Sequence, residues 1–174
     1  MLERLTRVGL AAAMVLTICA CGQAPNGGDQ MPQGAAALDT ESPEYAAMEY
    51  RQGLMHVLAF KAGKVRGMAN GDIPLDEAVF LKSANDLAAA ARMLDEAFPE
   101  GTDSVRLAGA SNALPDIWAD WDAFVEHRTA LQTASLTVAT QAQAGGFAAA
   151  QAAAADQIGP ACGGCHRPYR QRTD

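Results

Sequence analysis

The chain is expected to be all-α, an antiparallel up-down-up-down four-helix bundle, on three observations. Long stretches rich in Ala, Leu, Gln and Glu carry few β-branched runs and no strand-like alternation. Breakers recur at helix-length intervals, at Asn70-Gly71-Asp72, at Pro99 with Gly101, and at Gly145-Gly146. The pieces between them are about 23–30 residues long and joined by short or moderate connections, which suits rods packed round one core.

Each element has its own signal. Residues 1–20 begin with Arg4 and Arg7, continue into the apolar run Val8 to Ile18, and reach Ile18-Cys19-Ala20-Cys21. A basic start and an apolar stretch of about a dozen residues make an export signal, too short to span a bilayer. Its end resembles a bacterial lipoprotein box, so cleavage before Cys21 and lipidation of that cysteine are expected, with a periplasmic, membrane-anchored product. Residues 21–41, with Pro25, Gly27, Gly28, Pro32 and Gly34, form a polar linker. The folded domain is then 42–174.

Ser42-Pro43-Glu44 opens the first helix: a capping hydroxyl, proline at the first helical position, then an acid at the positive dipole end. That helix runs to about Ala69. Pro74-Leu75-Asp76-Glu77 opens a second, to about Ala97, and residues 98–114 form the one long loop. Pro115-Asp116 opens a third, to Ala144, and the fourth runs from Phe147 to near Arg170. Gly159-Pro160 predicts a kink or fresh helical start within that last helix, because proline removes a main-chain hydrogen bond.

The chemistry sits near the C-terminus, in Cys162-Gly163-Gly164-Cys165-His166. CxxCH is the spacing of covalent haem c attachment: two thiols reach the vinyl groups of one porphyrin, and the adjacent imidazole becomes an axial iron ligand. A thioredoxin-like pair would want a βαβ setting, and none is visible. A zinc site would need further ligands, yet His56 and His127 stand alone. With Cys19 lost and Cys21 lipidated, only Cys162 and Cys165 remain, both assigned to haem, and no structural disulfide is needed.

No Met, His, Lys or Cys follows His166, so a second axial ligand is sought upstream. The inward stripe of the first helix reads Ala47, Arg51, Leu54, Met55, Leu58, Ala62, Val65, Ala69. Met55 would stand over the iron, and Arg51, one helical step before it, can reach a propionate with its planar fork. Met55 as plain core filler and Arg51 as an edge side chain are the competing readings. His56 lies about 100° round the helix and reads as a rim residue; His127, between Glu126 and Arg128, reads as surface.

Glu49-Tyr50-Arg51-Gln52-Gly53-Leu54-Met55, Phe98-Pro99-Glu100-Gly101-Thr102-Asp103, Pro115-Asp116-Ile117-Trp118 and Cys162 through Arg170 together resemble the cytochrome c-prime / cytochrome c-556 family, over roughly residues 43–172. The resemblance implies a four-helix bundle with one covalent haem c. It makes Cys162 and Cys165 the thioether sites and His166 the proximal ligand. Arg51 becomes a propionate-side arginine, Arg170 a basic residue near the proximal histidine, and Trp118 a residue packed near the haem. Met55 falls over the open iron face. A coordinating Met there implies a low-spin electron carrier, whereas an open face implies a five-coordinate haem that binds nitric oxide or carbon monoxide. The carrier with His166 and Met55 as ligands is the expectation.

The chain holds 13 basic and 20 acidic residues, a formal charge of −7; losing Arg4, Arg7 and Glu3 makes it −8. That argues against nucleic acid or anionic lipid as partner and is compatible with steering towards a basic patch on a redox protein. No catalytic base, nucleophile constellation or phosphate loop appears, so the chain is not read as an enzyme. The membrane enters only through the N-terminal lipid. The resemblance allows two copies to pair through their first two helices.

Overall fold

The capping chemistry written at Ser42 is carried out in the computed structural model, which describes residues 38–172. The Ser42 hydroxyl accepts the Tyr45 amide, and α1 runs Pro43–Asn70. It ends on Gly71, whose φ of +80° lets its own amide turn back to the α1 carbonyls. The expected leader (1–20) and residues 21–37 of the linker lie outside the described residues.

The second rod opens later than Pro74. Asp76 is the cap, accepting the Val79 amide, and α2 spans Glu77–Arg92 before tightening into a 3₁₀ turn, Met93–Glu96. Pro115 starts only a single turn, α3, Asp116–Ala119; the chain breaks at Asp120 before α4, Trp121–Asp156. Within α4 the backbone leaves helical geometry at Gly145 and Gly146, the latter with φ of +70°. The third and fourth rods of the bundle meet there, as the glycine pair predicted. A Cβ at Gly146 has room but not the right backbone, so Gly146→Ala should cost about 1–3 kcal/mol of stability, read by chemical denaturation.

The fresh start expected at Gly159-Pro160 is also present. Gln157 interrupts the helix and α5 runs Ile158–Tyr169, so Pro160 falls in a first turn whose amides have no intrahelical acceptor.

α1 packs on α2, α2 on α4 and α4 on α5, while α1 and α5 approach only slightly. No named strand occurs among the described residues. The main core is built from Leu54, Leu58, Val65, Phe80, Leu87, Leu94, Val138 and Ile158 with many alanines between them. Phe80 and Phe147 meet edge to face at 5.0 Å across it. Met48, not Ala47, is the fully buried residue at the start of the α1 stripe. A second small cluster, Ala113, Ile117, Phe124 and Tyr169, lies towards the α5 C-terminus. Where α1 and α5 part, a cavity opens between the two clusters.

Candidate functional site

Small side chains on α5 and the wide α1–α5 spacing leave a cavity of about 570 Å³, within the range of a buried ligand or cofactor. One wall is α1, with Met55 and Ala59; the facing wall is α5, with Cys165, His166 and Tyr169. Leu94, Phe98, Ile117 and Phe124 close the far end. Arg51, Gln52, His56, Asn112, Arg128 and Arg170 provide its polar lining, and no carboxylate lines it. An apolar slot with an imidazole on one face and a thioether on the other fits a flat metalloporphyrin.

The donor chemistry agrees. Burial, helped by Arg170, pushes the His166 pKa below its ordinary value, which keeps the imidazole neutral, the form that ligates metal. Burial pushes both thiols up, Cys165 to about 11, with the neighbouring Cys162 adding to the rise and Arg128 opposing it. Such thiols are poor redox nucleophiles at neutral pH, against a thiol–disulfide role. No group of three or more His, Cys, Asp or Glu able to hold an ion occurs among the described residues, so the zinc reading finds no ligand set.

The sequence-selected residues divide. Met55, Cys165, His166, Arg51 and Arg170 line the cavity, whereas Cys162 sits one turn back against the main core. Trp118 does not reach the wall; its indole N–H donates to the Phe98 carbonyl at 3.2 Å and so holds the backbone of a residue that does. His56 is at the rim, as read.

Arg51 is buried, and its two terminal nitrogens are spent on the 97–111 segment. Nη1 donates to Thr102 Oγ1 at 2.6 Å and the Ala97 carbonyl at 3.3 Å; Nη2 donates to the Thr102 carbonyl at 2.7 Å and Ser111 Oγ at 3.1 Å. Phe98 stacks on the guanidinium at 5.2 Å. Burial lowers its pKa to about 10, with Asp103 opposing, so it stays charged at neutral pH. Arg51 thus fastens the loop that ends the cavity.

The tail is fastened to the same loop. The Leu114 amide donates to the Tyr169 carbonyl at 2.9 Å and the Gln171 amide to the Asn112 carbonyl at 2.8 Å. These main-chain bonds pair Ala113 with Arg170 and fix the end of α5 over the cavity.

The surface reading of His127 is corrected. His127 is half-buried in the α4–α5 seam because Gly164 has no side chain: a Cβ there would lie 3.1 Å from Nδ1. Arg128 reaches the cavity. Its Nε lies 3.2 Å from Asp95 Oδ1, but the N–H is not aimed at that oxygen, so this buried donor has no hydrogen-bond partner. Two adjacent glycines inside CxxCH were the available signal that α4 comes this close.

A cofactor slot between the first and last rods of a four-helix bundle, floored by CxxCH, defines a bundle-type c cytochrome. The Cytochrome C' family profile matches residues 46–170, and the chain belongs to that family; it carries one covalent haem c. A cytochrome c-554 of Cereibacter sphaeroides is 39% identical, over 72% of this chain and 80% of that one. A cytochrome c' of Halomonas halodenitrificans is 34% identical, over 71% of this chain and 95% of that one. Among solved structures, a cytochrome c prime variant of Alcaligenes xylosoxidans in its nitric oxide complex superposes with a TM-score of 0.65 at 26% identity, over 75% of this chain and 97% of that one.

Proposed function

We propose that this cytochrome holds its haem through Cys162, Cys165 and His166 and takes a diatomic gas, nitric oxide or carbon monoxide, on the α1 side. The iron supplies the bond to the gas; the chain supplies its access and surroundings. Membership of the Cytochrome C' family and the relative solved with nitric oxide support this over the electron carrier expected from the sequence. The observation that carries it is the cavity: of its α1 lining, Arg51 is held by the 97–111 segment and Gln52 and His56 are exposed, which leaves Met55 and Ala59 across from the α5 wall that holds His166. Leu94, Phe98 and Ile117 make the interior apolar, which favours an uncharged gas over water.

Met55 is the residue the gas must pass or displace. Its thioether is flexible and a weak donor, so it can fill the space or yield it. The second reading, a closed His166/Met55 carrier, is favoured by that same sulfur in the wall and by the c-554 relative. Absorption spectroscopy separates them. Reduced wild type should bind carbon monoxide rapidly, and Met55→Ala should change that rate less than about tenfold. A sulfur-to-iron charge-transfer band in oxidised wild type, lost in Met55→Ala, with carbon monoxide binding only after the substitution, would establish the carrier instead.

The reading includes export to the periplasm. No helix among the described residues is long and apolar enough to cross a membrane. Anchoring through a lipidated Cys21 remains part of the proposal, because that residue lies outside the described region. Exposed Val57 and Phe60 on α1 and Leu81 on α2 support pairing of two copies through these helices.

A further inference from the structure

The charge around the haem-bearing helix has the opposite sign to that of the chain. From Gln157 to Arg172 there are Arg167, Arg170 and Arg172 and no carboxylate, in a protein of net −7. The half of α1 from Met55 to Asn70 adds Lys61, Lys64 and Arg66, again with no carboxylate. Glycine spacing gathers several of these cations on one face of α5. Arg66 lies across bare Gly159, where a Cβ would be 3.1 Å from Cζ. Arg167 lies across Gly163, where a Cβ would be 2.9 Å from Nη1. Gly159 and Gly163 are one helical step of four apart, and Arg170 follows in extended backbone at the end of α5, bordering the cavity.

None of Arg66, Arg167, Arg170 and Arg172 has a carboxylate within 4.0 Å among the described residues; the ion pairs that exist involve Lys61, Lys82, Arg106 and Arg128. The stripe borders the attachment motif, since the Arg66 charge is felt at Cys162 and that of Arg170 at His166. The nearest carboxylates at this end of α5, Asp116, Asp120 and Glu126, act on Tyr169 and pair with none of the four arginines.

We infer that the α1–α5 face carrying Arg66 and Arg167, continued by Arg170 and Arg172 in the segment that leaves α5, is a docking surface for an acidic electron-transfer protein, which exchanges one electron with the haem across this edge. The occupant follows from charge complementarity: unpaired cations beside the cofactor attract an acidic patch, although the molecule as a whole repels anions. The inference rests on haem attachment at Cys162 and Cys165. It does not rest on the distal ligand, so its failure would leave the carbon monoxide test standing.

Oxidation of reduced holoprotein by ferricyanide, one electron passing to give ferrocyanide, tests the surface. With a negative net charge, −7 for the full sequence, repulsion from the whole molecule would make this rate rise with added salt. Steering by the stripe predicts the reverse, a fall of about threefold or more between low and moderate ionic strength. Poly-L-glutamate at low salt, standing in for the acidic partner, should slow the reaction. In the triple variant Arg66→Gln, Arg167→Gln, Arg172→Gln the salt slope should change sign and poly-L-glutamate should lose its effect. The triple Arg→Lys variant, which keeps the charge, should behave as wild type and controls for folding. A ferricyanide rate that rises with salt in wild type, or a slope unmoved by the Gln variant, overturns the proposal.

Discussion

Serine at both Cys162 and Cys165 should abolish covalent haem entirely, and the protein should lose stability with it. The thiols are the only cysteines among the described residues, and each is half-buried against or beside the cavity. Without the cofactor, Met55, Leu94, Phe98, Ile117 and Phe124 line a hole open to water. Burying a large apolar side chain contributes roughly 1.5–3 kcal/mol, so several such walls left wet amount to much of a domain's margin. The expected result is no haem stain on a denaturing gel and a melting temperature lower by about 10 °C or more. A haem-free variant melting like wild type would mean that the cavity is not a cofactor site.

Arg51→Met should cost about 3–5 kcal/mol by chemical denaturation, because each buried acceptor left without a donor costs about 1–3 kcal/mol. The substitution deletes four hydrogen bonds and leaves the Thr102 and Ala97 carbonyls without their guanidinium donor. Ser111 Oγ would still donate to the Thr102 carbonyl at 2.8 Å, which limits the damage at that oxygen. Arg51→Lys should recover only part of the loss, because an ammonium cannot reproduce a planar fork reaching three residues at once. A cost below about 1 kcal/mol for Arg51→Met would show that the loop is held elsewhere.

Much of the bundle was readable because its punctuation is local. Ser42-Pro43, Gly71 and Gly145-Gly146 each act through the backbone of their own turn, so a single stretch of sequence reveals them. The second rod was placed three residues early because Pro74 looked like a first helical residue, whereas the Asp76 carboxylate captures the amide that fixes the start. Asp120 splits the third rod with no glycine or proline to announce it.

The site divides in the same way. Cys162, Cys165 and His166 are a contiguous motif, and Met55 follows from helical register. The use of Arg51 depends on residues 46 to 60 positions away, and no periodicity encodes such a bond. His127 reads as solvated because its neighbours Glu126 and Arg128 are charged; its burial depends on how α4 and α5 meet. The basic stripe was hidden for a related reason, since net charge averages over faces that the fold separates.

The two main-chain bonds that tie residues 112–114 to residues 169–171 bear on how this scaffold tolerates re-engineering. A long connection between rods is ordinarily where a fluorescent tag or foreign peptide is spliced in with least harm. Here that stretch is sewn at one end to Arg51 and at the other to the polypeptide's closing residues. The short Gly71–Leu75 link, turned away from this stitching, is the better seam for grafting.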